Sequence, residues 1–285
     1  MDGDSLRRIV RQQAPLVGAA VGSGMTAAAA EEGGADLVMI LNAGHFRLLG
    51  ASSVAALLPY ADANRLTWEI AERQVLPRVS RTPVILGVCA QDPALDVERL
   101  FGRLRDYGVA GITNFPSAAF YDGRFRDALE ATEFGYAREV ELLRRARDAG
   151  LFTIGFCLAP SDADAMARRD AADILCLNLG IADWRTLDVA AHQAALDRAV
   201  ESLRAMIAAA ARHRPDPYCV TFGGPVVLPQ DTAQVYQRTG ARGYIGGSSV
   251  ERFPTASAVT QTVREFRHVI AQGPRMDRLG ALIGT

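Results

Sequence analysis

The sequence predicts an α/β protein folded as a single (β/α)8 barrel, also called a TIM barrel. Strand-like and helix-like patterns alternate along the whole chain of 285 residues, and the short apolar runs typical of buried parallel strands number eight. Eight βα units spread over about 250 residues match a closed barrel better than a six-stranded open sheet.

Most of the predicted strands are preceded by the same kind of segment. Most follow a helix-like run that ends in Gly or another small residue, which is typical of the αβ joint of a parallel sheet. The eight candidates are Leu16 to Val21, Leu37 to Leu41, Val84 to Val88, Gly111 to Asn114, Phe152 to Cys157, Ile174 to Asn178, Cys219 to Phe222 and Gly243 to Gly246.

Helical patterns fill the segments between the strands. In the longest, Leu196, Val200 and Leu203 recur at three- and four-residue steps, which predicts one apolar face lying on the sheet. No linker divides the chain, so we expect one domain over residues 1–285, with a barrel core of about 15–270 and a tail at 271–285. The clearest helices are predicted at Asp62 to Leu76, Ala94 to Tyr107, Gly135 to Ala149, His192 to His213 and Thr232 to Thr239.

Composition excludes several classes of chemistry. The net charge is -1, and no basic patch stands out, so we expect no nucleic-acid partner. All 31 basic residues are arginine. Without lysine the chain cannot form a Schiff-base aldolase site or hold pyridoxal phosphate as an internal aldimine, and any anion bound by a side chain must be bound by Arg.

The cysteines and the N-terminal region indicate where the protein works. Cys89, Cys157, Cys176 and Cys219 have no metal-ligand spacing, so buried reduced thiols are expected. The early apolar stretch, Leu16 to Ala30, is broken by glycines and too short to span a bilayer. No signal peptide is recognisable, and we expect a cytoplasmic protein without a membrane partner.

Two glycine pairs end the last two predicted strands. If these are strands seven and eight of a barrel, Gly223, Gly224, Gly246, Gly247 and Ser248 fall where such barrels most often bind a phosphate. Backbone N–H groups of glycines approach an anion closely, and a helix beginning at Ser248 would add its partial positive charge. The first pair is equally compatible with a tight turn into a helix.

The loops after the first two strands carry further polar groups. Gly22 and Gly24 imitate a dinucleotide fingerprint, but the acidic residue expected after the next strand is missing, so we expect no NAD; the same glycines could let a substrate approach the barrel mouth. Asn42, His45 and Arg47 follow strand two, and the amide of Asn42 could stabilise oxyanion charge. Arg47 suits a carboxylate or phosphate, and His45 suits proton transfer near neutral pH.

Polar residues also end strands three, four and six. Asp92 could hold a divalent cation through water, act as an acid or base, or cap a helix. Asn114 and Asn178 could stabilise oxyanion charge, or satisfy neighbouring loop backbone. Glu139 lies among other charged residues of a helix, which predicts solvated surface.

The order and spacing of several motifs provide a resemblance over roughly Leu16 to Val269. The motifs are Gly22-Ser-Gly24-Met, Asn42-Ala-Gly44 with Phe46-Arg47, Leu57-Leu-Pro-Tyr-Ala-Asp-Ala-Asn64, Gly87-Val-Cys89 with Asp92-Pro93, Gly111 with Asn114-Phe-Pro116, Gly223-Gly-Pro225 and Gly246-Gly-Ser-Ser-Val-Glu-Arg252. Together they resemble the phosphoenolpyruvate hydrolase-like family, also called the TIM-barrel signal transduction family, which includes the C-terminal domain of Tm-1-like proteins.

The resemblance implies a barrel related to phosphoenolpyruvate mutase and isocitrate lyase, which use a divalent cation and an enolate intermediate. Asp92 stands alone where that wider group has a metal-binding acidic cluster, so Mg²⁺ is a conditional expectation. The sequence departs from the family pattern at Phe222, where His is usual, and at His45, where Arg is frequent. Gly180 to Trp184 replaces a loop rich in Gly and Thr.

Together with these residues, the resemblance implies a lyase or hydrolase acting through an enolate on a small anionic oxo acid or a phosphoenolpyruvate-like substrate. The alternative from another class is a metabolite-binding signalling barrel without catalysis, which the loss of the usual His at Phe222 favours. A sugar-phosphate isomerase would need Asp92 or Asp122 as its base. The apolar tail, Leu279 to Thr285, is compatible with a homo-oligomer or with packing across the barrel's own base.

Overall fold

The structure, a computed structural model, describes residues 3–181 and 188–271. Eight parallel strands form a closed barrel in chain order, and pairing of the last strand with the first closes it. The predicted fold class is therefore confirmed, and the open sheet of a dinucleotide-binding domain is absent from the described residues. The strands are β1 Leu16–Val21, β2 Leu37–Ile40, β3 Val84–Val88, β4 Gly111–Asn114, β5 Phe152–Cys157, β6 Ile174–Asn178, β7 Cys219–Phe222 and β8 Gly243–Gly246.

Helices follow the strands and surround the barrel. The predicted helix that begins near Asp62 continues past Ile70 as a π-helical turn, Ala71–Val75. The described helices are α1 Asp4–Gln12, α2 Gly24–Glu32, α3 Ala43–Leu48, α4 Ala63–Ile70, α5 Val97–Asp106, α6 Gly123–Glu130, α7 Tyr136–Asp148, α8 Pro160–Arg168, α9 Val189–Ala211, α10 Pro229–Thr239 and α11 Arg252–Ala271.

Alternation along each strand divides the apolar residues into two cores. In β1, Leu16 and Ala20 belong to the core inside the barrel, whereas Ala19 and Val21 belong to the layer between the sheet and the helices. Helix α1 covers the amino-terminal end of the barrel with Leu6, which is fully buried in the interior core. The carboxyl ends of the strands lie at the opposite end of the barrel, which α1 does not cover.

Three long connections, after β2, β4 and β6, begin at those carboxyl ends. The connection after β2 contains α3 and a 3-10 turn, Ser53–Leu57, and the connection after β4 contains a 3-10 turn, Ala118–Phe120, and α6. The connection after β6 falls partly outside the described residues, as does the C-terminal tail.

The four cysteines are free thiols in the described part of the chain. Cys157, Cys176 and Cys219 are buried, as predicted, whereas Cys89 is only partly buried. Between residues 3 and 181 and between 188 and 271, none of the helices combines the length and the apolar character needed to cross a bilayer.

Candidate functional site at the barrel mouth

A cavity opens where the strands end, with an empty volume of ≈ 600 Å³ that includes space open to solvent. Its wall comes from the segments that follow β2, β4, β6, β7 and β8, so the barrel topology itself assembles it. The lining residues are Leu41, Ala43, Arg47, Ser53, Phe115, Phe120, Asn178, Gly180, Ile181, Phe222, Gly223, Gly224, Val226, Val227, Tyr244, Gly247, Ser248, Ser249 and Phe253.

Arg47 is the charged side chain in this lining. It is 4% exposed, and its Nε donates to Oε2 of Glu251 at 2.7 Å while Nη2 donates to the carbonyl oxygen of Ala20 at 2.7 Å. Oε1 of Glu251 accepts from the backbone N–H of Gly22 at 2.6 Å and from Oγ1 of Thr26 at 2.7 Å. The carboxylate therefore fixes the guanidinium and neutralises its charge, leaving Nη1 as the nitrogen that carries neither bond.

Three glycines line the cavity, and one of them, Gly247, lies beside Arg47. Gly223 and Gly224 have φ of +69° and +59°, in the left-handed region, and the N–H of Gly224 donates to the carbonyl oxygen of Gly180 at 3.0 Å. A Cβ on Gly247 would lie 3.2 Å from Cζ of Phe222 and 3.6 Å from Nη1 of Arg47. A larger residue at position 247 would therefore fill space beside the guanidinium in which a ligand could contact it.

The helix expected at Ser248 begins later. The carbonyl oxygen of Gly247 accepts from the N–H groups of Val250 and Glu251 in a turn, and α11 starts at Arg252. Ser248 lines the cavity and lies 3.5 Å from Ser53, measured between the two Oγ atoms. Hydroxyl groups and a turn, rather than a helix N-terminus at Ser248, therefore face this part of the cavity.

Asn178 adds an amide at the end of β6. Its Oδ1 accepts from the N–H of Gly180 at 2.8 Å, and the side chain is buried. Its Nδ2 is buried and has no hydrogen-bond partner in the described part of the protein. An unsatisfied buried donor costs about 1–3 kcal/mol, so the site favours a ligand that offers it an oxygen.

Aromatic and aliphatic side chains cover the rest of the mouth. Phe222 is the position at which the sequence departs from the family pattern, which usually has His. Its ring centroid lies 5.1 Å from that of Phe156. Tyr244 donates to the carbonyl oxygen of Val226 at 2.9 Å, and burial raises its pKa to about 12. The phenol is therefore neutral at physiological pH, and the wall is largely apolar.

The prediction that Glu139 lies on a solvated helix surface is wrong. It is fully buried, and Asn114 Nδ2, Ser117 Oγ and the N–H of Ala118 each donate to its carboxyl group at 2.6 Å, as does Gln91 Nε2 at 2.7 Å. Burial nevertheless raises the pKa of Glu139 to about 7.

Asn114 is used by the same network. Its Oδ1 accepts from the N–H of Phe156 at 2.7 Å, so it ties β4 to β5 and to α7. The network holds the segment between Phe115 and Phe120, whose two ring side chains line the cavity. Asn114 itself lies behind this wall.

The residues around Asp92 do not offer a magnesium site. Its Oδ1 accepts from the N–H of Ala94 at 2.8 Å and its Oδ2 from Nδ2 of Asn64 at 3.0 Å, so both oxygens serve the loop after β3. No cluster of three or more His, Cys, Asp or Glu side chains able to hold a metal occurs within residues 3–181 and 188–271. Because Mg²⁺ prefers several oxygen ligands, the described residues do not fit it.

Several other predicted site residues lie outside the lining. His45 packs edge-on against Phe46, with ring centroids 5.2 Å apart. Asn42 donates from Nδ2 to the carbonyl oxygen of Ala56 at 3.0 Å, and its buried Oδ1 has no partner among the described residues. In contrast, Arg47, Asn178, Gly223, Gly224, Gly247 and Ser248 are brought together around the cavity.

The three remaining glycines have packing reasons of their own. A Cβ on Gly22 would lie 2.6 Å from Cα of Gly44, because the first two βα loops touch backbone to backbone. A Cβ on Gly24 would collide with the carbonyl oxygen of Gln74, and one on Gly246 with the side chain of Val250. The glycines of the apparent dinucleotide motif therefore serve close packing of the barrel.

Fold and cavity together define a (β/α)8-barrel protein with a small, mostly apolar site at its strand ends. The chain belongs to the phosphoenolpyruvate hydrolase-like family, because the sequence model of that family matches residues 3–269. This confirms the resemblance that the motifs indicate.

Among curated relatives, the ToMV susceptible protein tm-1(GCR26) of Solanum lycopersicum is 38% identical over 256 residues, which is 90% of this chain and 34% of that protein. The chain thus spans about a third of the length of this relative.

Solved structures show the same fold at low sequence identity. Phosphoenolpyruvate phosphomutase from Streptomyces platensis subsp. rosaceus aligns with a TM-score of 0.61 and 14% identity, covering 100% of this chain and 92% of that one. A phosphonopyruvate hydrolase in complex with oxalate and Mg²⁺ aligns with a TM-score of 0.54 and 18% identity, covering 100% and 93%. A 2,3-dimethylmalate lyase, described as a member of the phosphoenolpyruvate mutase/isocitrate lyase superfamily, aligns with a TM-score of 0.59 and 16% identity, covering 96% and 90%. The barrel is thus of the type that the sequence predicts.

Proposed function

We propose that the mouth cavity binds a small anionic metabolite, an oxo acid or its phosphorylated enol, and that the protein acts on it as a lyase or hydrolase. The observation that carries the proposal is the convergence of Arg47 and Asn178 on one cavity beside Gly247. Nη1 of Arg47 and Nδ2 of Asn178 are donors without a bond to Glu251 or to loop backbone. An oxygen-rich ligand would satisfy both.

The apolar wall suits this chemistry. Phe115, Phe120 and Phe222 exclude water from one side of the cavity, and hydrogen bonds to a developing oxyanion are stronger where water is excluded. Donors fixed before the reaction also need no reorganisation when negative charge moves onto an enolate oxygen. Arg47 is fixed in this way by Glu251.

Membership of the phosphoenolpyruvate hydrolase-like family supports the lyase or hydrolase class. Among proteins of the same fold, one solved neighbour holds oxalate, a small dicarboxylate. Proton transfer in this chain is proposed for His45, with Asp92 as the other candidate. Each would have to reach the cavity from outside its described lining.

The second candidate is a metabolite-binding signalling barrel without turnover. The observation that favours it is the neutral character of the described lining: Glu251 compensates the charge of Arg47, and no carboxylate or imidazole faces the cavity among the described residues. Such a lining can bind an oxygen-rich anion through oriented donors, but it supplies no proton carrier of its own.

A thermal-shift titration followed by a turnover assay separates the two candidates. Phosphoenolpyruvate, pyruvate, oxaloacetate, oxalate and inorganic phosphate are added separately, each with and without Mg²⁺. A ligand at about 100 times its dissociation constant stabilises the fold by roughly 2.7 kcal/mol. Stabilisation with product formation supports the enzyme, stabilisation without it supports the signalling barrel, and no shift with any compound contradicts both.

A further inference from the structure

Phe222 lies between the two polar groups that the mouth cavity offers to a ligand. It ends β7, and its Cα pairs with that of Asn178 on β6, so the two side chains line the cavity side by side. On its other flank, the point that a Cβ on Gly247 would occupy is 3.2 Å from Cζ of Phe222 and 3.6 Å from Nη1 of Arg47. A ligand that reaches both Asn178 and Arg47 is therefore in contact with the ring of Phe222.

The ring of Phe222 belongs to a continuous apolar surface. Its centroid lies 5.1 Å from that of Phe156, and the centroid of Phe115 lies 5.7 Å from that of Phe156. The ring of Phe120 follows, 5.7 Å from that of Phe115. Phe156 is fully buried, and the other three rings line the cavity. Because aromatic rings packed in this way hold one another in place, the wall is preformed, and phenyl rings offer a ligand no hydrogen-bond donor.

The charges around the cavity compensate one another. Arg47 is the cationic side chain of the described lining, and its Nε is bound to Oε2 of Glu251 at 2.7 Å. Nη1 is left to hold one carboxylate of a ligand. A second anionic group that reached the phenyl rings would have no counter-charge there, and an unpaired buried charge costs far more than a buried methyl group. The described lining therefore favours a ligand with one anionic end and one apolar end.

We propose that Phe222 makes the cavity selective for a 2-oxo monocarboxylate with an aliphatic side chain, and against an oxo acid whose side chain ends in a second anionic group. The inference rests on the function proposed above and narrows its substrate class. The carboxylate accepts from Nη1 of Arg47, and the oxo oxygen accepts from the unpartnered Nδ2 of Asn178. The alkyl group then lies on the ring of Phe222. Oxalate reaches the same two donors but carries no group for the rings, so it serves as the reference ligand.

Calorimetric titration of the whole chain with matched 2-oxo acids measures this selectivity. Pyruvate, 2-oxobutanoate and 2-oxopentanoate differ by one methylene at each step, and each methylene that reaches the wall should tighten binding about fourfold. The dicarboxylate 2-oxopentanedioate has the chain length of 2-oxopentanoate but ends in a carboxylate instead of a methyl group. It should bind at least about tenfold more weakly than 2-oxopentanoate.

Substitution of Phe222 identifies the residue responsible. In Phe222→His the ring is of similar size but polar, and it can carry a positive charge. The ratio of the affinities for 2-oxopentanoate and 2-oxopentanedioate should shift at least about tenfold toward the dicarboxylate. Phe222→Leu keeps an apolar side chain and should retain the preference of the natural protein. Loosened packing alone would weaken both ligands together and leave their ratio unchanged.

Phe125→His is the matched control, because it makes the same replacement on α6 at a side chain that is 58% exposed and outside the cavity lining. Its affinity ratio should equal that of the natural protein. Circular dichroism and thermal melts confirm that each variant folds, and the ligand series on the natural protein tests the selectivity without any substitution.

The outcomes separate this inference from the function on which it rests. If neither oxalate nor any of the four oxo acids binds, the proposed function fails and the inference fails with it. If oxalate and pyruvate bind but affinity does not rise toward 2-oxopentanoate, or 2-oxopentanedioate binds as tightly, the cavity holds an anion and the inference alone is overturned. An unchanged ratio in a folded Phe222→His variant overturns the assignment of the selectivity to Phe222.

Discussion

Nε of Arg47 donates to Oε2 of Glu251 across 2.7 Å, and each side chain is only 2% exposed. The pair joins α3 to the turn that precedes α11, two segments separated by 204 residues in sequence. It fixes a guanidinium in the wall of the mouth cavity and removes its net charge. Substitution at Glu251 therefore changes both the stability of the protein and the electrostatics of the site.

Glu251→Gln should destabilise the fold and tighten anion binding. The variant leaves the buried charge of Arg47 without its counter-charge, and breaking such a pair costs about 3 kcal/mol or more. The same uncompensated charge should increase affinity for a small anion roughly tenfold. Urea denaturation and calorimetric titration measure the two effects. Glu265→Gln, which removes an exposed carboxylate on α11, should change neither.

Gly247→Ala should weaken ligand binding without unfolding the protein. The new Cβ would lie 3.2 Å from Cζ of Phe222 and 3.6 Å from Nη1 of Arg47, so it narrows the space beside the guanidinium. We expect roughly a tenfold loss of affinity, equivalent to about 1.4 kcal/mol. Gly102→Ala is the control, since nothing lies within 4 Å of its new Cβ in α5. Equal affinities of the two variants would place the ligand elsewhere.

Glu139 should make the protein less stable as the pH rises. Its pKa is raised from 4.5 to about 7 in the folded protein, so the folded state holds this proton more tightly than the unfolded state. Its favourable contribution is full below pH 4.5 and is lost as the pH rises to about 7, by roughly 3 kcal/mol.

The difference between the natural protein and Glu139→Gln isolates this contribution. Urea denaturation gives the free energy of unfolding at pH 5 and at pH 8. The decrease of this free energy from pH 5 to pH 8 should be smaller in the variant than in the natural protein. If both proteins show the same pH dependence, the carboxyl group of Glu139 does not titrate in this range.

Glu31 should produce the opposite pH dependence at acid pH. Its carboxylate accepts from the N–H groups of Ser80, Arg81 and Thr82, and backbone hydrogen bonds hold its pKa at about 2 against burial, which raises it. The stabilisation of the fold by the ionised carboxylate of Glu31 is present above pH 4.5 and disappears as the pH falls toward 2. Acid titration of Glu31→Gln by circular dichroism should therefore show less acid sensitivity than the natural protein.

Local patterns were sufficient for the barrel. Short apolar runs between helical segments predicted all eight strands, and the one difference in their bounds is that β2 ends at Ile40 instead of Leu41. This success has a physical reason, because a strand buried on both faces is mostly apolar along its length. The start of α11 was predicted four residues too early, since Gly247 begins a turn whose backbone bonds are not visible in composition.

The site was less accessible to sequence reasoning because its interactions are long-range. Glu251 belongs to a motif that carried the family resemblance, yet its pairing with Arg47 depends on barrel closure. Glu139 was interpreted as surface since its neighbours on α7 are charged. The side chains that donate hydrogen bonds to its carboxyl group come from Gln91, after β3, and from Ser117, after β4. A single sequence gives no signal for these encounters.

Calorimetric titration of oxalate into the natural protein and into Asn178→Asp tests the central claim most directly. The substitution keeps the size of the side chain and the acceptor for Gly180, but it replaces the unsatisfied Nδ2 donor by an oxygen. Gln193→Glu, which adds the same charge on the exposed surface of α9, is the control. The account predicts one site per chain, binding weakened at least about tenfold in Asn178→Asp, and no change in the control. Equal binding by all three proteins, or none by the natural protein, would contradict an oxalate-binding site at the mouth of the barrel.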